Sequence, residues 1–344
     1  MSVLVCKCKS CDAPITYNIE IGKWKCEYCL HEYEKDEFPD APVEAASEPQ
    51  PSPELSEYHC SECGALLLCE LTTAASFCLY CKSPTIIESR FTGEFRPQWV
   101  IPFAVPSSKA KEIYFNWIKR YFLAPTSMKL ASEVETIRAL YAPYWLFDCK
   151  VAGQVDGEGR NSHSYTSGSY RVTETKHYNV SRAGSAAYTR IPIDGSAHLD
   201  NAAMQALEPY DYAGMENFKM EYMSGVMAER FDVPQDEAAK DMQERSKGFL
   251  SASLQATTGE YDSFNVQSSS VELQEENGIY AMLPLYILTT LFKGQKYTFL
   301  VNGQTGKIFG DPPVDNTRRW VTILVAFLIS FTLLVLAGGF IYAD

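Results

Sequence analysis

Two groups of four cysteines constrain this chain more than any other feature. Cys8, Cys11, Cys26 and Cys29 follow the spacing C-x2-C-x14-C-x2-C, and Cys60, Cys63, Cys78 and Cys81 repeat it 52 residues later. The same shift aligns Ala13 with Ala65 and Tyr28 with Tyr80. A C-x2-C pair makes a tight knuckle that offers two sulfurs to one ion, and zinc takes four thiolates in a tetrahedron at about 2.3 Å. The intervals Ile15 to Trp24 and Leu66 to Phe77 suit the β-hairpin that joins two knuckles. Each quartet is therefore expected to bind one structural zinc, and four thiolates leave no open position for a substrate. Trp24 and Phe77 precede the second knuckles, where an aromatic can cover the metal. The competing reading, redox-active cysteine pairs, needs two identical quartets by coincidence.

Ten of the 11 cysteines fall before residue 82, which is an odd framework for disulfides. Met1-Ser2-Val3-Leu4-Val5 runs into them without the charged start and apolar stretch of a secretory signal, so a reducing compartment is expected. Cys69 and Cys149 read as packed small hydrophobes; Cys6 could swap with Cys8, and His31 and His59 could support the quartets. The net charge is −13, and the region before Arg90 holds six Lys, no Arg and fifteen Asp or Glu. Phosphate contacts need cations, so nucleic acid is a poor fit for the cysteine-rich region.

The spacing divides the chain into ribbon 1 (1–33), an acidic linker (34–57), ribbon 2 (58–89), an α+β domain (90–313), a juxtamembrane piece (314–319) and a span (320–343). The linker has five Pro, eight acids and one Lys, a composition that cannot bury a core. In the α+β domain, Ser107 or Ser108 is expected to cap a helix with Ala110, Ile113, Tyr114, Trp117, Ile118, Tyr121 and Phe122 on one face. A second helix is expected over Pro234 to Leu250, capped by Asp232, with Ala238, Ala239, Met242, Phe249 and Leu250 on its apolar side. Phe264 and Val266 alternate with polar residues, Ile279 to Phe292 is nearly continuously apolar, and Asn302-Gly303-Gln304-Thr305-Gly306 marks a hairpin turn. An antiparallel sheet with helices on one face follows. Tyr141 to Phe147 echoes Tyr280 to Leu288, which fits either two copies of one helix-sheet module or chance similarity of apolar strands.

From Trp320 to Ala343 no residue is charged. Val321 to Tyr342 gives roughly 33 Å of helix, enough to cross a hydrocarbon core of about 30 Å. Arg318 and Arg319 precede it, so the positive-inside rule places the N-terminal bulk in the cytosol of a single-pass membrane protein. A buried core helix is the alternative, but core helices seldom keep so long an uncharged run.

Nothing catalytic emerges. Gly303-Gln304-Thr305-Gly306-Lys307 has the wrong spacing for a phosphate loop, and Ile308 stands where Ser or Thr is required. Gly153, Gly157 and Gly159 lie in a loop-like run without dinucleotide spacing, and His163, His177 and His198 read as surface residues.

The paired quartets, Ile101-Pro102-Phe103, Tyr141 to Asp148, the Asn302 to Gly310 turn and a C-terminal span together resemble bacterial TFIIB-type zinc-ribbon-containing membrane proteins. The resemblance covers nearly the whole chain. It implies that the eight cysteines are the metal ligands and that no enzymatic activity is established. It also implies a scaffold beside SPFH-domain, TPM-domain and phage-shock-type membrane stress proteins. The chain departs from the usual C-P-x-C-G knuckle: Cys8-Lys9-Ser10-Cys11-Asp12 lacks Pro and Gly, and only Cys63-Gly64 keeps the glycine. The expected function is a non-enzymatic, membrane-tethered adaptor, its partners the bilayer and other membrane proteins, with the first ribbon searching from the end of the acidic linker. A membrane-tethered nucleic-acid-binding protein is the alternative.

Overall fold

The computed structural model describes residues 6–34, 37, 55–60, 66–70, 72–78, 83–87, 90–91, 95–130 and 134–341. Strands β1 (Ile15–Asn18), β2 (Lys23–Cys26) and β3 (Glu32–Tyr33) form a small antiparallel sheet. β4 (Leu55–His59) pairs with β5 (Leu66–Glu70). The remaining elements are β6 (Thr73–Phe77), β7 (Pro84–Ile86), β8 (Trp99–Val100), α1 (Ser107–Ile118), β9 (Val134–Ser167), β10 (Tyr170–Asp194) and α2 (Asn201–Ala206). They are followed by β11 (Glu216–Asn217), β12 (Met227–Glu229), α3 (Gln235–Ala256), β13 (Ser263–Phe292), β14 (Gln295–Asn302), β15 (Ile308–Phe309) and α4 (Asn316–Ile341).

Among the described residues, ten strands make one mixed sheet, in the order β11-β8-β13-β9-β12-β6-β7, with β10 beside β9, β14 beside β13 and β15 beside β14. Its centre is the antiparallel pair β9–β13, where Trp145 faces Tyr280 and Tyr141 faces Pro284. Both faces are covered there. Tyr141, Trp145 and Phe147 from β9 and Tyr280, Met282 and Tyr286 from β13 enter one core; Leu140, Ala142, Tyr144, Ala281, Leu283 and Leu285 enter the other. That double burial explains the nearly continuous apolar run of Ile279 to Phe292 in β13. α1 and α3 cover the first face through Tyr114, Ile118, Met242 and Leu250, while α2 covers the second through Ala203 and Met204. The expectation of helices on one face is thus corrected: Tyr144 and Leu146 also need a lid, and α2 supplies it.

The two echoing segments are partners in space. Each belongs to a β-α-β-β path, β8-α1-β9-β10 and β12-α3-β13-β14. The paths are tied crosswise by parallel pairings, β8 with β13 and β12 with β9.

The helix details differ from the sequence reading at their ends. Pro106 occupies the cap of α1, and Ser108 instead donates its hydroxyl to Glu20 at 2.9 Å. Tyr121 and Phe122 lie beyond α1 and are exposed. α3 starts after Pro234 and runs to Ala256, and Phe249 is exposed. Asp232 accepts from the Ala197 amide rather than capping the helix.

The run around Gly153, Gly157 and Gly159 is not a loop. β9 and β10 are 34 and 25 residues long and form a hairpin closed at Gly168, whose φ is +64°. At about 3.3 Å per residue β9 has a contour of roughly 110 Å. β13 follows β9 out as far as the Ser263–Arg160 pair, and Phe264 and Tyr261 lie across the glycines. A Cβ at Gly157 would stand 2.6 Å from the Phe264 ring, and one at Gly159 would stand 2.7 Å from Tyr261. Beyond that pair the hairpin is mostly exposed on both faces.

Candidate metal centre

The first knuckle turns because the Cys8 amide donates to the Ala13 carbonyl and the Asp12 amide to the Cys8 carbonyl. The second repeats this with Cys26 N–H to His31 O and Leu30 N–H to Cys26 O. Asp12 and Leu30 both take φ +61°, the left-handed conformation that glycine fills without strain. Asp12 therefore stands in for the glycine this knuckle lacks. β1 and β2 carry the knuckles together, with Ile15 paired to Cys26.

The result is a compact set of four sulfurs. Those of Cys8, Cys11, Cys26 and Cys29 all lie within 4.8 Å of one another. The Cys8–Cys29 and Cys11–Cys26 separations are both 3.5 Å. A tetrahedral zinc with bonds of about 2.3 Å sets its sulfurs about 3.8 Å apart, so the cluster fits such an ion. These four cysteines lie close enough to bind one metal ion, and their donor chemistry is compatible with zinc.

The surroundings favour charge on Cys8. Burial works against its thiolate, but the Tyr33 hydroxyl at 2.9 Å and the Ser10 and Cys11 amides outweigh it and bring its pKa to about 6. Cys11 is pushed up to about 12: the Ala13 amide favours its thiolate, while burial and the three neighbouring sulfurs oppose it. Four thiolates in so small a volume repel one another, and a divalent cation held by them would reverse that balance.

The Trp24 ring reaches a partner outside the hairpin. It is buried against the body of the protein, with ring centroids 5.2 Å from Tyr17 and 4.9 Å from Tyr222. Its indole N–H donates to Glu221 O at 2.8 Å. The Tyr17 amide donates to Ser224 O, and the Ser224 hydroxyl donates to Ile15 O at 2.6 Å. The first cysteine hairpin therefore shares a core with the large sheet rather than searching from a tether. Sequence reasoning missed both Tyr33 and this docking; no counterpart of Tyr33 exists in the second unit, where the 52-residue shift lands on Thr85.

In the second unit, Cys60 and Cys78 are buried beside Tyr58 and Ile87. Cys63 and Cys81 lie outside the described residues, as does the Cys69 side chain. The backbone around Cys78 copies the first unit at the same shift: Cys78 N–H donates to Ser83 O as Cys26 does to His31 O. Ser76 pairs with Thr85 as Trp24 pairs with Tyr33. The free edge differs. β2 pairs with β1, whereas β6 pairs with β12 and so joins the large sheet. Phe77 is exposed.

Cys149 is buried in the core as expected, and Cys6 packs partly buried against it. His31 stacks edge-on against Tyr33 at 4.6 Å. His163, His177 and His198 are all exposed and do not converge. His198 meets Asp232 at 3.3 Å, but only its backbone amide reaches Ser196, whose hydroxyl donates to Glu229. The Asn302 segment is a turn: Asn302 Oδ1 accepts from the Gln304 and Thr305 amides, and Gly306 has φ +75°.

α4 contains one stretch, Asn316–Leu334, long and apolar enough to cross a membrane, and none of it is buried. The residue before it is fastened to the body, the Asp315 amide donating to Leu123 O at 2.9 Å.

No family model matches the chain. It is similar to a protein of Bacillus subtilis strain 168 described as "Uncharacterized protein YdjG", with 29% identity over 342 residues, 97% of this chain and 98% of that protein. No solved structure matches.

Proposed function

We propose that the chain is a non-enzymatic zinc protein anchored in the cytoplasmic membrane by α4, with its bulk in the cytosol, acting as an adaptor in a membrane-stress or membrane-organising assembly. The observation that carries this reading is the docking of the cysteine hairpin. Tyr17 and Trp24 seal it onto Tyr222, and α4 leaves the same body, tied to it by the Asp315 amide, so a metal here would shape a surface held at fixed height above a bilayer. A site closed by four thiolates can build such a surface but cannot activate water. The repeated backbone around Cys78 supports a second zinc held by Cys60, Cys63, Cys78 and Cys81. Arg318 and Arg319 support the cytosolic orientation. The partners that the family resemblance implies are SPFH-domain, TPM-domain or phage-shock-type membrane proteins.

The test is chemical crosslinking in intact cells followed by pulldown of the full chain. Wild type should retain a defined membrane-protein partner, and Cys26→Ser should stay at the membrane yet lose it. Equal capture by both would refute the role given to the metal. Turnover of a small molecule by the purified chain would refute the non-enzymatic reading.

A further inference from the structure

We propose that residues 119–130 and the first turn of α4 form one anionic-lipid-binding surface that seats the body on the leaflet. This rests on the membrane-span reading above and adds which part of the body meets the lipid. The turn after α1 is bound to the root of the span. Arg318 Nη1 donates to Phe122 O and to Ala124 O, both at 3.4 Å, and its Nη2 donates to the Thr126 hydroxyl. Trp320 follows two residues later, about 3 Å further along the helix. Phe122 is therefore held at nearly the depth of the residue that opens the span.

The side chains suit that depth. Phe122 is 66% exposed and Trp320 68%, and Tyr121 and Leu130 are exposed beside them. Tyr121 rests on the Trp117 ring at 4.6 Å; exposed aromatic groups in this position fit the interfacial zone, where aromatic rings are favoured. Lys119, Arg120 and Lys129 stand on the same segment, which has no acid between residues 119 and 130. Lys129 donates to Tyr121 O at 2.9 Å, and burial followed by the charge of Arg318 lowers its pKa. With Arg318 and Arg319 this makes five cations against Asp311 and Asp315, on a chain whose net charge is −13. Asp315 is occupied in capping, its Oδ1 accepting from the Thr317 amide at 3.1 Å. Cations segregated beside exposed aromatics at the root of a span complement an anionic headgroup layer.

The full chain can be reconstituted in nanodiscs of phosphatidylcholine, with or without phosphatidylglycerol, and followed by hydrogen exchange. Amides of residues 121–124 should exchange roughly fivefold more slowly in the anionic discs. The exposed double variant Lys119→Glu/Arg120→Glu should lose that difference while the rest of the body exchanges as in wild type. Equal exchange at 121–124 in both lipids, with 321–341 protected, overturns the proposal and leaves the span intact. Fast exchange throughout 321–341 overturns the span and the proposal together. Protection that appears only in native vesicles means that a membrane protein covers this surface, which also overturns it.

Discussion

Trp24 donates its indole N–H to the main-chain oxygen of Glu221 at 2.8 Å, across 197 residues of sequence. This bond, with the ring contacts to Tyr17 and Tyr222, joins the cysteine hairpin to the ten-stranded body. Trp24 is 1% exposed. Trp24→Ala removes a buried indole and should cost about 3–5 kcal/mol. Trp24→Phe keeps most of the packing but orphans the Glu221 carbonyl, and should cost about 1–2 kcal/mol. Thermal unfolding of the full chain in detergent checks both. Equal, negligible effects would mean the hairpin is not docked.

Tyr33 should matter to the metal although it is not a ligand. Its hydroxyl reaches the Cys8 sulfur at 2.9 Å and stabilises charge there. Tyr33→Phe should lower zinc affinity about tenfold, as removal of an outer hydrogen bond usually does. Competition with a chromophoric chelator measures it. Tyr28→Phe, at a largely exposed position nearby, should leave the affinity unchanged.

Leu30 holds φ +61° while 64% exposed, so it bears backbone strain without repaying it by burial. Leu30→Gly should stabilise the folded hairpin by about 1 kcal/mol, less the extra entropy glycine gives the unfolded chain. The midpoint of unfolding should rise or stay level. A fall of several degrees would show that Leu30 has an unseen packing role.

These knuckles show what was legible in the sequence. Cys8, Cys11, Cys26 and Cys29 were readable because four ligands at fixed spacing have few other uses, and Asn302 to Gly306 because its side chain and glycine encode one turn. The crosswise partnership of Tyr141 and Tyr280 strands left only a faint echo, since apolar strands resemble one another. The β9–β10 arm was missed for a physical reason. Most of its outer half faces water on both sides, so it carries Ser, Thr, Asn and Gly without the apolar alternation that marks a half-buried strand. The docking of Trp24 was illegible because nothing local distinguishes a tryptophan that covers a metal from one that faces a distant tyrosine. Cys63 and Cys81 fall outside the described residues, and the proposal of a second centre is argued from Cys60, Cys78 and the copied backbone.

Asp194 should give the fold an uncommon pH dependence. Burial, then the charges of Asp232 and Glu229, outweigh the Ser196 and Gly195 amides and push its pKa up to about 8. Its Oδ2 is buried without a hydrogen-bond partner. The folded state therefore holds a proton that the unfolded chain releases near 3.8. The associated stability is fully present below that value and is lost as pH rises through about 8. Asp194→Asn should raise stability at pH 8 by roughly 1–3 kcal/mol and flatten the profile below it. Unfolding midpoints across that range, compared between the two chains, provide the measurement. A parallel profile in the variant would place the titration elsewhere.

The central claim is that thiolate-bound zinc and a membrane anchor belong to one folded body. Metal content measured on the full chain extracted from washed membranes under anaerobic conditions tests it most directly. About two zinc ions per chain are expected, with close to one remaining in Cys26→Ser, and both proteins should be recovered from the membrane fraction. A chain without zinc whose cysteines are paired as disulfides, or one found wholly in the cytosolic fraction, would contradict the account.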